Sequence, residues 1–106
     1  MNMKEIKNKL RQFSQDREWD EFHNPKNLSM ALSVEASELV EIFQWLTIEE
    51  SKSLNDKQIQ ASKEELADIL IYLIRIADKL DVDLEKAVEE KINLNAKKYP
   101  INKNEQ

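Results

Sequence analysis

Two pairs of acidic residues have a spacing that could hold a metal ion. Glu35 and Glu38 form one pair, and Glu65 and Asp68 form the other. Residues three apart share one face of an α-helix, so each pair would present two carboxylates in the same direction. Hard carboxylate oxygens from two helices suit Mg²⁺, the cation that typically organises phosphate chemistry.

The apolar residues around both pairs indicate that these carboxylates face the protein interior. Glu35 lies on the same helical stripe as Leu32 and Leu39, and Asp68 lies beside the apolar run 69–74. Carboxylates in such positions repel one another and lose solvation. They are stable there only if they are protonated, paired with cations or bound to metal. A single acidic pair is usually a solvated helix face, but two pairs on apolar faces favour a site.

The composition predicts one all-α domain. The chain has 106 residues, no glycine and two prolines, and 35% of its residues are charged. A chain without glycine is poorly suited to tight hairpins and to phosphate-binding loops that need a positive φ. The P-loop and the dinucleotide fingerprint are both absent. The lack of cysteine excludes disulfides, thiolate metal ligands and cysteine nucleophiles.

The charge and the apolar pattern predict a cytoplasmic protein that binds neither nucleic acid nor membrane. A net charge of −5 disfavours nonspecific nucleic-acid binding, which needs a basic face. The first residues lack the apolar core of a signal peptide, and the longest apolar run is too short to cross a bilayer. A small anionic substrate is still compatible, because a bound cation reverses the local charge.

Start and stop signals predict an antiparallel helical bundle of four main helices plus a short one. Asn24 and Pro25 open the second helix, Thr47 opens the short third one, and Pro100 stops the last, whereas the first has no distinct cap. The predicted ranges are about 4–17, 25 to 45 or 46, 47 to 54 or 55, 56–80 and 84–98. Residues 1–100 then form one domain, and 101–106 form a flexible tail. The fourth helix is apolar on more faces than one neighbour can cover, which predicts a dimer or tetramer.

Two further sets of residues have open interpretations. Trp19 and His23, in a predicted loop, either plug the end of the bundle or form a wall for a planar ligand. Lys91, Asn95 and Lys98 share a face of the last helix. They either bind phosphate oxygens, or the lysines simply suit the dipole at the helix C-terminus.

Other site chemistries fit the residues less well. A di-iron site needs Glu-x-x-His motifs, and the only histidine, His23, lies in a loop. A calcium-binding EF-hand needs a glycine, which the chain lacks. A serine nucleophile is also a poor fit, because none of the serines lies in a catalytic motif. Mg²⁺-assisted hydrolysis of a phosphoanhydride fits best. The alternative is a noncatalytic helical interaction module, in which the acidic pairs form buried salt bridges with lysines of a partner helix.

Several segments, taken together with the acidic pairs, carry a more specific pattern. They are WDEFH at 19–23, NPKN at 24–27, EIFQW at 41–45, EELADILIY at 64–72 and KxxxNxxKYP at 91–100. Over about residues 10–100 the chain resembles the all-α nucleoside triphosphate pyrophosphohydrolases, the MazG-like superfamily, and in particular its short single-domain members.

The resemblance implies hydrolysis of a nucleoside triphosphate to the monophosphate and pyrophosphate. It implies that Glu35, Glu38, Glu65 and Asp68 coordinate Mg²⁺, with Mn²⁺ as a possible substitute. A carboxylate should also orient or deprotonate the attacking water, with Glu38 the first candidate and Glu41 the second.

The resemblance also implies a nucleotide pocket in a homodimer or homotetramer. The matching substrate-binding positions are Trp19, His23, Asn27, Trp45, Tyr72, Lys91, Asn95 and Lys98. Stacking on Trp19 and Trp45 would accept any base, so discrimination would depend on hydrogen bonds to base edges. The family favours dCTP and modified or noncanonical deoxynucleotides, in a role that cleans the nucleotide pool.

Overall fold

Five α-helices make up the regular structure of residues 1–101. In the computed structural model, which describes residues 1–101, they are α1 (Met3–Asp16), α2 (Pro25–Phe43), α3 (Ile48–Ser51), α4 (Asp56–Lys79) and α5 (Leu84–Lys98). No strand occurs in that range, so the predicted all-α fold of four main helices plus a short one is confirmed. Of the predicted tail, Ile101 is exposed without regular structure, and residues 102–106 lie outside the described part.

Local side chains fix where the helices begin. The caps that accept a first-turn backbone N–H before α2, α3, α4 and α5 are Asn24, Thr47, Asn55 and Asp83. The expectation that α1 lacks a distinct cap is wrong, because Asn2 Oδ1 accepts the Glu5 N–H at 3.1 Å. Helix α2 ends at Phe43, two or three residues earlier than predicted, and α4 ends where Asp81 takes a left-handed φ of 54°.

The main packing contact joins α2 to α4, and α1 packs less extensively on α4. The most buried apolar side chains lie between these helices; they are Leu28, Ile74 and Ala77. Asp20, just before α2, pairs with Arg75 near the end of α4, whereas Glu35 of α2 approaches Glu65. A residue earlier in the chain before or along α2 therefore meets a residue later on α4, so the two helices are antiparallel.

Helix α5 has no extensive contact with another helix within residues 1–101. Its apolar side chains Val88, Ile92 and Leu94 are between 51% and 60% exposed. Within residues 1–101 the bundle is thus formed by α1, α2 and α4. Helix α5 extends from this bundle and contributes little to its apolar core. None of the helices in this part of the chain combines the length and apolarity that crossing a bilayer requires.

Candidate metal and substrate site

Three carboxylates from two helices converge halfway along the α2–α4 contact. One oxygen from each of Glu35, Glu38 and Glu65 lies within 4.8 Å of an oxygen from each of the others. All three side chains are half-buried. The helical spacing places Glu35 and Glu38 on one face of α2, and the antiparallel packing brings Glu65 of α4 against them. We call these three residues the carboxylate group.

Apart from one another's carboxyl groups, the members of the carboxylate group have no compensating hydrogen-bond donor or cation within residues 1–101. Glu35 Oε2 and Glu65 Oε2 are buried and have no hydrogen-bond partner in the described structure. No ion pair within residues 1–101 involves a member of the group. Ionised oxygens in this situation are unfavourable, so the group has to hold a proton or a cation.

The pKa values of Glu35 and Glu65 reflect the close approach and burial of these carboxyl groups. Hydrogen bonding with the Glu35 carboxyl, followed by burial and the nearby Glu38, raises the pKa of Glu65 to about 7. For Glu35, hydrogen bonding with Glu65 lowers the pKa, but burial and the negative charges of Glu38 and Asp68 outweigh it and raise the pKa overall. The pair therefore titrates as a unit that retains a proton near neutral pH.

Asp68 lies at the edge of the carboxylate group and not within it. It is half-buried on α4, but its oxygens are not among those that converge within 4.8 Å. Its charge still acts nearby, because burial and the charges of Glu35 and Asp68 together raise the pKa of Tyr72. Tyr72, also half-buried, lies one turn further along α4. The structure thus brings three of the four predicted acidic residues together and leaves the fourth beside them.

Trp19 and His23 come together in the loop between α1 and α2. Their ring centroids are 5.5 Å apart, and the Trp19 ring meets Phe13 edge-on at 5.6 Å. Trp19 is 41% exposed, so one part of the indole is accessible. Burial, followed by the charge of Arg75, lowers the pKa of His23, and its buried Nδ1 has no hydrogen-bond partner in the described structure.

Other predicted pocket residues are placed differently. The Asn27 amide donates a hydrogen bond to the Phe22 carbonyl at 3.0 Å, so Asn27 ties the aromatic loop to α2. Trp45 follows α2 and is 87% exposed, and no aromatic ring within residues 1–101 packs against it. Glu41 is exposed on α2, one turn after Glu38.

The predicted phosphate-binding residues lie on α5. Lys91, Asn95 and Lys98 are exposed, and Lys98 Nζ lies 5.3 Å from the Tyr99 ring. Because α5 has no extensive contact with α2 or α4 within residues 1–101, the described part of a single chain does not bring these residues to the carboxylate group.

An ion-pair network that sequence reasoning missed joins the aromatic loop to α4. The Arg75 side chain is only 4% exposed, and its Nη2 lies 3.2 Å from Asp20 Oδ1 and its Nη1 3.7 Å from Asp78 Oδ2. Asp78 also accepts hydrogen bonds from Arg11 of α1, at 2.7 and 2.5 Å. Lys79 Nζ adds a contact of 3.6 Å to Asp20. The available signal was a charged residue directly after the apolar run 69–74, just as Asp68 is a charged residue directly before it.

An all-α fold with carboxylates from two antiparallel helices agrees with the family assignment from sequence. The family model of the MazG-like family matches residues 30–106, and the chain belongs to this family.

The chain is similar to two dCTP pyrophosphatase 1 proteins and to a pyrophosphatase of known structure. The dCTP pyrophosphatase 1 proteins of Rattus norvegicus and Bos taurus are 39% and 40% identical to the chain over 101 residues, which is 93% of this chain. The chain spans 59% and 60% of the length of these two relatives. A crystal structure of a pyrophosphatase from Archaeoglobus fulgidus shares 37% identity and a TM-score of 0.89, covering 95% of this chain and 94% of that one.

Proposed function

We propose that this chain is a Mg²⁺-dependent nucleoside triphosphate pyrophosphohydrolase, which converts a nucleoside triphosphate and water to the monophosphate and pyrophosphate. The observation that carries the proposal is the carboxylate group, in which Glu65 has a pKa of about 7. Membership of the MazG-like family and the names of the similar proteins support the same reaction.

The residues of the group fit a divalent cation. Their ligand atoms are hard oxygens, two of them buried without a donor, and a cation would take the place of the proton that the hydrogen bond with Glu35 and burial retain on Glu65. Glu35, Glu38 and Glu65 would hold the ion, and Asp68 would complete the set from the edge of the group. Mg²⁺, or Mn²⁺ in its place, would supply positive charge that neutralises the phosphate oxygens.

Glu38 is our first candidate for orienting the attacking water and accepting its proton at a carboxylate oxygen. It belongs to the carboxylate group and therefore lies beside the place where the phosphates would bind. Glu41, one turn further along α2, is the second candidate. Because Glu41 is exposed, its carboxylate is less constrained in direction.

The aromatic loop is the candidate pocket for the base. The accessible part of Trp19 offers a stacking surface, and His23 Nδ1 offers a polar atom that has no partner in the described structure. Tyr72 lies between this loop and the carboxylate group along α4. The substrate we propose is dCTP or a modified deoxycytidine triphosphate, since the curated relatives carry the name dCTP pyrophosphatase 1.

A homodimer or homotetramer is the proposed assembly. The apolar residues left exposed on α2, α4 and α5 are more than a small monomer usually shows; they include Met30, Val34, Leu66, Leu73 and Ile92. A second copy would cover them and would offer Trp45 and the α5 residues Lys91, Asn95 and Lys98 a place near a bound triphosphate.

The test is pyrophosphate release from each canonical ribo- and deoxyribonucleoside triphosphate, and from 5-methyl-dCTP, with Mg²⁺ and with EDTA. We expect metal-dependent release that is fastest with a cytosine nucleotide. Release that persists in EDTA would contradict the role of the cation. Silence across the whole panel would contradict the reaction and favour a noncatalytic helical interaction module.

A further inference from the structure

The loop between α1 and α2 is held against α4 by the buried Arg75 and by Lys79, which both contact Asp20. Arg75 Nη2 contacts Asp20 Oδ1 at 3.2 Å, and Asp20 lies directly after Trp19 in the chain. The loop's own hydrogen bonds are local, because the Phe22 and His23 N–H groups donate to the Trp19 carbonyl at 2.8 and 3.0 Å. The Asp20 ion pairs therefore anchor this turn to α4.

Stability alone does not account for a guanidinium in this place. Arg75 is 3% exposed on an otherwise apolar stretch of α4, and its Nε has no hydrogen-bond partner within the described residues. Taking a charge out of water is unfavourable, and an apolar side chain of similar volume is often as stabilising as a buried ion pair. What such a pair can add is a fixed geometry between the two elements that it joins.

Helix α4 carries both ends of the proposed site. Glu65 of the carboxylate group and Arg75 are ten residues apart on this helix, which corresponds to about 15 Å along its axis. Tyr72 lies between them. A rigid helix with the carboxylate group on one turn and the loop anchor three turns later sets the distance from the phosphate end of the site to Trp19.

We propose that Arg75 is a positioning residue: through its ion pair with Asp20 it fixes the Trp19 and His23 rings at a set distance from the carboxylate group, and thereby sets the affinity for the base. This rests on the proposed function, although the anchoring itself can be measured without substrate.

The first test is a fluorescence experiment without nucleotide. In a Trp45→Phe background Trp19 is the only tryptophan, so acrylamide quenching reports its accessibility. Asp20→Asn removes the anion that Arg75 holds, and Glu21→Gln makes the same charge change one residue away, at a side chain without an ion pair among residues 1–101. We expect acrylamide to quench Trp19 more strongly in Asp20→Asn than in the Trp45→Phe parent, and equally in Glu21→Gln and the parent. Equal quenching in the two variants would overturn the proposal.

The second test is kinetic and uses the natural tryptophans. We expect Asp20→Asn to raise KM for the best nucleotide about tenfold with kcat changed less than about twofold, since the reacting centre is untouched. A purely electrostatic effect would act in the opposite direction, because losing an anion near an anionic substrate lowers KM. Glu21→Gln measures that effect. Unchanged KM in Asp20→Asn would overturn the proposal.

A second variant, Arg75→Met, tests the other partner of the pair. If the two side chains act through each other, Arg75→Met combined with Asp20→Asn should raise KM no further than the larger single effect. Multiplying effects would contradict an action through the pair. Absence of hydrolysis in the wild type would count against the proposed function alone, because the quenching result still decides whether Arg75 positions the loop.

Discussion

Glu35 and Glu65 approach each other across the α2–α4 contact, and each has one buried oxygen without a hydrogen-bond donor in the described residues. Two ionised carboxylates in this arrangement repel each other and lack solvation. A shared proton relieves the repulsion, and so does a cation. The proton and the cation therefore compete for the same oxygens, and this competition leads to measurable consequences.

Mg²⁺ should stabilise the folded chain. At pH 8 and a free concentration 100 times its Kd, a single site would add about 2.7 kcal/mol to the free energy of unfolding. Glu65→Gln should lose most of this gain, because the amide keeps the shape but not the charge. Thermal melts with Mg²⁺ and with EDTA measure the effect. Glu64→Gln, one position away and exposed, is the matched control and should respond to Mg²⁺ like the wild type.

Without metal, Glu65 should make the wild type less stable as pH rises from about 4.5 to 7. Its pKa is about 7 in the folded state against an ordinary 4.5, so the folded state holds a proton that the unfolded state has lost. The contribution is complete below 4.5 and is lost as pH rises through 7. His23 acts in the opposite direction, because its pKa is lowered by burial. The difference between wild type and Glu65→Gln cancels the His23 effect and reports the titration of the Glu35–Glu65 pair.

That difference is measured as the midpoint of thermal unfolding in EDTA across pH 4 to 8. We expect Glu65→Gln to gain stability relative to the wild type as pH rises through this window. Parallel curves for the two proteins would show that the pKa of Glu65 is ordinary. The inference that the members of the carboxylate group crowd one another would then be wrong.

Asp78→Asn should lower the free energy of unfolding by about 2 kcal/mol. Asp78 is 8% exposed, and its carboxylate accepts two hydrogen bonds from Arg11 while lying 3.7 Å from Arg75. The bond from Arg11 also holds the pKa of Asp78 below its usual range, so its contribution to stability is lost only as pH falls into the acid region.

Urea unfolding at pH 7 measures this loss, and an unchanged m-value would show that the compactness of the two states is preserved. Asp81→Asn is the control, because Asn tolerates the left-handed φ of 54° at that exposed position. We expect Asp81→Asn to stay within about 0.5 kcal/mol of the wild type. Equal losses in both variants would refute a specific role for the Arg11–Asp78 pair.

Features that depend on neighbouring residues in the chain could be predicted from sequence. The caps Asn24 and Thr47 act on their own first turns, and the Glu35–Glu38 spacing fixes a shared helix face. Antiparallel packing of two such faces was enough to predict that Glu65 would meet them.

Features that depend on tertiary geometry could not be predicted. Whether Asp68 lies within or beside the carboxylate group depends on the rotation of α4 against α2, which no residue pattern states. The Arg75–Asp20 pair joins residues 55 positions apart. The isolation of α5 likewise escaped prediction, because its period looks the same whether its apolar side packs in the chain or on a second copy.

Glu38→Gln should lower kcat/KM by at least about 100-fold, because it removes a member of the carboxylate group and the first candidate for proton transfer. Glu41→Gln should lower it by less than about tenfold, since Glu41 is exposed and outside the group. Pyrophosphate release measures both, with circular dichroism to verify folding. A larger loss in Glu41→Gln would transfer the water-activating role to that residue.

Ile92→Lys should dissociate the proposed homo-oligomer. Ile92 is 60% exposed on α5, whose apolar side has no extensive contact within residues 1–101. In a monomer a lysine there would be harmless, whereas in an interface it would bury an unpaired charge and oppose assembly. Asn93→Lys adds the same charge one position away, at a residue that is polar and exposed. Light scattering with size-exclusion chromatography should show a lower mass for Ile92→Lys alone. A wild type that is already monomeric would remove the oligomer from the proposed function, and would leave α5 without a way to bring Lys91 and Asn95 to the carboxylate group.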